Sequence, residues 1–155
     1  MSHRSLLGPF VFLGLLISLC LPLPALAVGS GSVPTPMAPR SAEAEYNKGL
    51  EAKSAKRFSE ALAGFRRAVD IRPNFAEAWN ELGFALRQTG QVTEALRAYD
   101  QALRLRPKYP EALEYLGEAY VKLGRPEDAR AVLVRLSSLD PSRARELEAA
   151  IQAGR

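Results

Sequence analysis

The sequence predicts an all-α protein, an α-solenoid of antiparallel helix pairs, and two observations carry this prediction. The first is self-similarity, because "AEAWNELGFAL" at 76–86 is followed 34 residues later by "PEALEYLGEAY" at 110–120. The second is apolar spacing, since apolar residues recur every three or four positions within each copy, as on one face of a helix. A fixed period is typical of repeat architectures, in which each unit needs a neighbour to bury its apolar face.

The overall composition excludes several function classes. The chain has 155 residues, of which 25% are charged and 47% hydrophobic, with 21 Lys and Arg against 17 Asp and Glu. So small a surplus of positive charge is not the signature of a nucleic-acid-binding protein. One Cys and one His can form neither an internal disulfide nor, by themselves, a zinc site. We therefore expect no nucleic-acid partner, no metal and no cofactor.

The first element, residues 1–27, is predicted to be a secretory signal peptide. A basic start at His3 and Arg4 precedes an apolar run over 10–21, and the segment closes with the small residues Ala25 and Ala27. These three parts in this order are typical of an export signal. We expect cleavage after Ala27 and a periplasmic or secreted product.

The alternative for this element is an uncleaved membrane anchor over residues 6–21. The apolar run is 12 residues long, or 16 when counted from Leu6, and a membrane-spanning helix needs about 20. The shortness of the run favours the cleaved signal. Residues 28–41, which are rich in Gly, Ser and Pro and lack periodicity, are predicted to be a flexible linker.

The remaining chain divides into three rows of 34 residues, 42–75, 76–109 and 110–143. Three columns hold one residue type throughout: Gly49, Gly83 and Gly117 at position 8, Ala61, Ala95 and Ala129 at position 20, and Pro73, Pro107 and Pro141 at position 32. Each row predicts two helices, the second ending before its proline. The Gly and Ala columns are expected at the crossing of the two helices, where a small side chain permits close approach.

These residues resemble the tetratricopeptide repeat (TPR) family. The second row matches the family pattern best, and the third row matches it at fewer positions: Trp79, Leu82, Gly83, Leu86, Ala95, Tyr99, Ala102 and Pro107, then Leu113, Leu116, Gly117, Tyr120, Ala129, Leu133 and Pro141. The resemblance covers 42–143 and implies a right-handed superhelix of three repeats in a TPR domain spanning 42–155.

Departures from the pattern cluster at the ends of the array. Glu45 and Lys48 replace the expected Trp and Leu in the first row, as in a first helix that faces solvent. Leu136 stands where the family prefers Ala. After the third row, residues 142–153 predict a seventh, amphipathic helix that caps the exposed end of the stack.

The resemblance implies a concave groove lined by the first helix of each repeat. Its predicted partner-binding residues are Tyr46, Leu50, Lys53, Glu77, Asn80, Phe84, Arg87, Glu111, Glu114, Glu118 and Lys122. The charges also fit simple matching to the helix dipoles, with Glu near the start of each helix and Lys or Arg near its end. Leu50 and Phe84 lie off the core stripe, so they are either contact residues or buried by the curvature of the groove.

Some family members grip a terminal carboxylate with basic and amide side chains at five groove positions. This chain has Tyr46, Leu50, Glu81, Glu111 and Tyr115 at those positions. None is basic and two are acidic, so a carboxylate ligand is not expected. The groove instead suits a peptide with an apolar group near Phe84 and a positive charge near Glu111, Glu114 or Glu118.

The predicted function is therefore a non-enzymatic adaptor or scaffold, exported to the cell envelope, that binds a peptide or protein partner in the groove. A chain without the nucleophile, phosphate-loop or metalloprotease motifs is expected to have no catalytic residue. The alternative is a membrane-anchored TPR assembly factor with its N-terminal segment uncleaved. We expect the protein alone to be monomeric.

Overall fold

The computed structural model describes residues 41–154, and this part of the chain contains seven α-helices and no strand. The helices are α1 (Ala42–Ser54), α2 (Phe58–Ile71), α3 (Ala76–Gln88), α4 (Val92–Leu105), α5 (Pro110–Lys122), α6 (Pro126–Ser137) and α7 (Pro141–Ala153). Each predicted row therefore contains one helix pair, and the all-α solenoid is confirmed. The predicted signal peptide, residues 1–27, and the predicted linker up to residue 40 lie outside the described residues. No helix between 41 and 154 has both the length and the apolar character needed to cross a membrane.

The same tight turn joins the two helices of every pair. Position 15 of each row has a positive φ, at Lys56 (57°), Gly90 (86°) and Gly124 (67°). In each turn the backbone N–H that follows this residue donates to a carbonyl five residues earlier, at 2.8–2.9 Å. The left-handed conformation is easy for glycine and costly for other residues, so the first turn is the strained copy.

Paired helices approach most closely at the glycine column, as predicted. A Cβ on Gly49 would lie 2.5 Å from the ring of Phe65, and a Cβ on Gly83 would lie 2.5 Å from the ring of Tyr99. Both rings are fully buried. In the first pair the approach is backbone to backbone, because a Cβ on Gly64 would lie 2.9 Å from the Cα of Gly49.

The third pair packs differently from the first two. Gly117 faces Leu147 of α7, whose side chain would lie 2.5 Å from an added Cβ, while Leu133 stays half-buried. The residues of α6 that face α5 are larger here, with Leu136 buried where the other rows have Ala. In this pair α7 supplies the side chain that covers the glycine.

The expectation that Glu45 faces solvent is also wrong. Glu45 is 1% exposed, and its carboxylate accepts hydrogen bonds from Lys48 at 2.8 Å and Arg67 at 2.5 Å. These two bonds lower its pKa to about 2. Lys48 itself remains exposed, as expected, while the buried Glu45 stands at the position of its row that Trp79 holds in the second row.

Candidate functional site

The eleven predicted binding residues lie on α1, α3 and α5, and their shared face is called the inner face below. Side-chain contacts connect these first helices across the repeats. Lys53 on α1 pairs with Glu81 on α3 at 2.6 Å, and Arg87 on α3 pairs with Glu118 on α5 at 2.9 Å. The structure therefore brings the three helices into one continuous surface.

Aromatic rings form the apolar part of the inner face. Phe84 is half-buried, with ring centroids 6.1 Å from Phe58 and 5.5 Å from Tyr115. The Lys53 ammonium lies 4.4 Å from the centre of the Phe84 ring. Tyr46 is half-buried against Phe75, with centroids 4.9 Å apart. The rings keep part of their surface open to a ligand while their other contacts hold them in place.

Most charged side chains of the inner face form ion pairs with a side chain outside their own helix, so their positions reflect more than matching to the helix dipoles. Glu77 pairs with Arg106, in addition to the two pairs already described. Lys122 is exposed, and its ammonium lies 3.4 Å from the carbonyl oxygen of Arg87. These contacts fix side chains that would otherwise be free to meet a charged ligand.

Two predicted binding residues are buried. Glu114 is 5% exposed and pairs with Arg143, so the expectation that it offers a free negative charge is wrong. Burial raises the pKa of Glu114, and the hydrogen bond from Arg143 opposes this shift. Asn80 is 0% exposed, and neither atom of its amide has a hydrogen-bond partner in the part of the chain that the structure describes.

Three further residues belong to the inner face but are missing from the predicted set: Glu81, Tyr109 and Tyr115. Glu81 and Tyr115 occupy position 6 of their rows, a position that the family pattern assigns only to the binding of a terminal carboxylate. Tyr109 occupies the last position of its row, which the pattern of first helices does not include. Burial raises the pKa of Glu81, and its bond to Lys53 opposes that shift.

Tyrosines and glutamates meet near the middle of the inner face. Burial, followed by the charges of Glu81 and Glu77, raises the pKa of Tyr46 to about 12. Burial and then Glu111 likewise raise the pKa of Tyr115 to about 12 and that of Tyr109 further. The three hydroxyls are therefore protonated at neutral pH and sit within the field of Glu111.

This surface offers charge, hydrogen-bonding groups and aromatic area to a ligand. Between residues 41 and 154 there is no group of three His, Cys, Asp or Glu side chains placed to hold a metal ion. Three stacked helix pairs with such a face define a helical-repeat protein of the α-solenoid class.

The chain belongs to the tetratricopeptide repeat family. Two models of that family match it, one over residues 46–110 and the other over residues 86–151. No curated protein matches the sequence.

Solved structures of TPR domains share the fold. The TPR domain of Arabidopsis OM64 is 20% identical, with a TM-score of 0.69 over 73% of this chain and 95% of that chain. The first TPR of Spaghetti (RPAP3), bound to the HSP90 peptide SRMEEVD, is 22% identical, with a TM-score of 0.68 over 73% and 92%. The TPR2B domain of yeast Sti1, in a complex with pHsp70, is 19% identical, with a TM-score of 0.69 over 73% and 94%.

Replacing Arg143 by Ala should destabilise the protein by about 2 kcal/mol at neutral pH, because Glu114 would remain buried without its partner. The folded-state pKa of Glu114 already lies above its unfolded value, so stability falls as the pH rises through the folded pKa. Loss of the Arg143 bond raises that pKa further. The destabilisation should therefore shrink below the ordinary glutamate pKa of 4.5, as measured by denaturant unfolding.

The matched control is Arg130→Ala, which removes an exposed pair with Glu127 and should cost less than about 0.5 kcal/mol. Adding Glu114→Gln to Arg143→Ala should restore part of the lost stability. An Arg143→Ala loss of equal size at neutral and acidic pH would contradict this account of the pair.

Proposed function

We propose that the protein is an exported, non-enzymatic adaptor whose inner face binds an extended or helical segment of a protein partner. The observation that carries the proposal is the half-buried aromatic surface around Phe84, bordered by fixed charges. Rigid aromatic side chains that keep an open face are the usual anchors of peptide and protein interfaces. The TPR domains of Spaghetti and yeast Sti1, which share this fold, are solved with an HSP90 peptide and with pHsp70.

The ligand proposed for this chain differs in charge from the peptide bound to Spaghetti. SRMEEVD carries three acidic residues and one arginine. The inner face of this chain has Glu81 and Glu111 near its centre, and Lys53 is already engaged by Glu81. Like charges at an interface are costly, so an acidic tail is disfavoured here.

The proposed location, the periplasm or the outside of the cell, is supported by the signal-like composition of residues 1–27. The alternative is a membrane-anchored assembly factor that keeps residues 6–21. Both versions use the same inner face and differ only in whether the module is released.

N-terminal sequencing of the protein recovered from its native cell should begin at Val28, in the soluble envelope or medium fraction. Cleavage after a small residue removes the apolar run, so nothing in that run would retain the product in membranes. A chain that begins at residue 1 or 2 and sediments with membranes supports the anchored alternative instead.

Phe84→Ala should weaken peptide binding about tenfold or more, because truncating an aromatic anchor at the centre of an interface costs about 1.4 kcal/mol or more. The probe is a peptide selected by the full-length protein from a random phage-displayed library, and the readout is its dissociation constant. Circular dichroism and a thermal melt should verify that the variant is folded.

The control is Val134→Ala, which removes an apolar side chain that is 72% exposed on α6, away from the inner face. It should leave the affinity unchanged. If Val134→Ala weakens binding and Phe84→Ala does not, the peptide binds elsewhere and the proposed site is wrong.

A further inference from the structure

Among the predicted acidic residues of the inner face, Glu111 is the one that makes no ion pair within residues 41–154. The repeat register explains this exception. In the first two rows, the carboxylate at position 2 pairs with an arginine at position 31: Glu43–Arg72 and Glu77–Arg106. The third row has Asp140 at position 31, so the arginine that would neutralise Glu111 is absent.

Asp140, which stands in the place of that arginine, and Arg143, three residues later, are both engaged by other groups. The Asp140 carboxylate caps α7 by accepting the backbone N–H groups of Ser142 at 3.0 Å and Arg143 at 3.1 Å. The guanidinium of Arg143 pairs with the buried Glu114 and approaches Asp140 at 3.4 Å. Because Asp140 caps α7 in place of the arginine of the other rows, Glu111 has no ion-pair partner among the described residues.

Aromatic side chains surround this carboxylate. Glu111 lies on the first turn of α5, close to the N-cap residue Tyr109 and one helical turn before Tyr115, so the three side chains are neighbours. Its charge also contributes to the raised pKa of Tyr46, Tyr109 and Tyr115. All three rings are half-buried.

The guanidinium of Arg106 lies 4.6 Å from the centre of the Tyr109 ring. That of Arg87 lies 5.5 Å from the centre of the Tyr115 ring, so each ring already attracts one cation. The remaining ring surface, beside a carboxylate that has no ion pair between residues 41 and 154, suits an ammonium or guanidinium group of a ligand.

A second observation concerns a buried amide on α3. Asn80 lies one turn from Glu77 and one turn from Phe84, on the side of α3 that carries the inner face, but it is 0% exposed. Its amide is buried with its donor and acceptor both unpartnered, which is costly for a folded protein. A peptide backbone offers the carbonyl and N–H that the amide lacks. Because Asn80 is fully covered, a peptide reaches it only by displacing a neighbouring side chain.

We propose that the surface formed by Glu111, Tyr109 and Tyr115 binds the side chain of a lysine or arginine carried by the partner peptide. The inference rests on the proposed function and deepens it by assigning the charge of the ligand and the residue that recognises it. Charge complementarity supports this occupant, since the other predicted carboxylates of the inner face already have partners. Glu114 and Glu118, which the sequence also offered for this role, are occupied by Arg143 and Arg87.

The test compares peptides selected from one random phage-displayed library by the full-length protein and by its Glu111→Gln variant, a nearly isosteric change. The wild type should enrich lysine or arginine at one position relative to the apolar anchor, and the variant should lose that enrichment. In a selected peptide, replacing the lysine by norleucine should weaken binding to the wild type about tenfold and to the variant less than about twofold.

The control variant is Glu127→Gln, which makes the same change of charge at an exposed residue of α6 and should retain the preference for basic peptides. Equal effects of norleucine on the wild type and on Glu111→Gln, or enrichment of acidic peptides by the wild type, would overturn the inference while leaving the proposed function intact. If the wild type selects no peptide at all, the proposed function fails, and this inference fails with it.

Discussion

The structure depends on how closely the two helices of a pair can approach. In the first pair the backbones of α1 and α2 meet at Gly49 and Gly64, with no room for a Cβ on either residue. In the second pair Gly83 admits the buried ring of Tyr99. This contact covers one side of α1 and of α3 with its own partner helix, and α7 covers the equivalent glycine of α5, so the opposite side of each first helix is left to form the inner face. The orientation of the binding residues follows from this packing, and their chemistry does not determine it.

Fewer charged side chains of the inner face are available to a ligand than its composition suggests. Ion pairs between helices engage five charged side chains of the inner face, namely Lys53, Glu77, Arg87, Glu114 and Glu118. Few charges therefore remain to select a ligand. The pairs with a half-exposed partner contribute little individually, but they fix the positions of Phe84 and Tyr115. In the proposed function, selectivity falls to the exceptions in the repeat, chiefly Glu111. This exception accompanies the use of Asp140, in place of an arginine, as the cap of α7.

The sequence was sufficient for the helix pairs because three columns of small residues and prolines recur at one period. It was insufficient to predict which side chain covers Gly117 and whether Glu45 is buried. Leu147 of α7 covers Gly117, whereas the equivalent glycines of the first two pairs are covered by a ring of their own second helix, and no periodicity reports this difference. Glu45 is expected to face solvent because the first helix of a repeat array is expected to carry a polar outer face, yet it is buried, and Arg67 on the next helix compensates its charge. The eleven predicted residues lie on the first helices of the three pairs, but their ion pairs join residues 28–31 apart and emerge only once the helices are stacked.

The most direct test of this account is the unfolding free energy of Gly64→Ala in the full-length protein. An alanine on an unconstrained helix should stabilise it by about 0.5–1 kcal/mol relative to glycine. Here the added Cβ would lie 2.9 Å from backbone atoms of Gly49, which cannot move aside as a side chain could. The account predicts a loss of about 1–3 kcal/mol, while Ser59→Ala at an exposed site on the same helix stays within about 0.5 kcal/mol. A gain in stability for Gly64→Ala would show that the helices do not meet at this contact and would contradict the account.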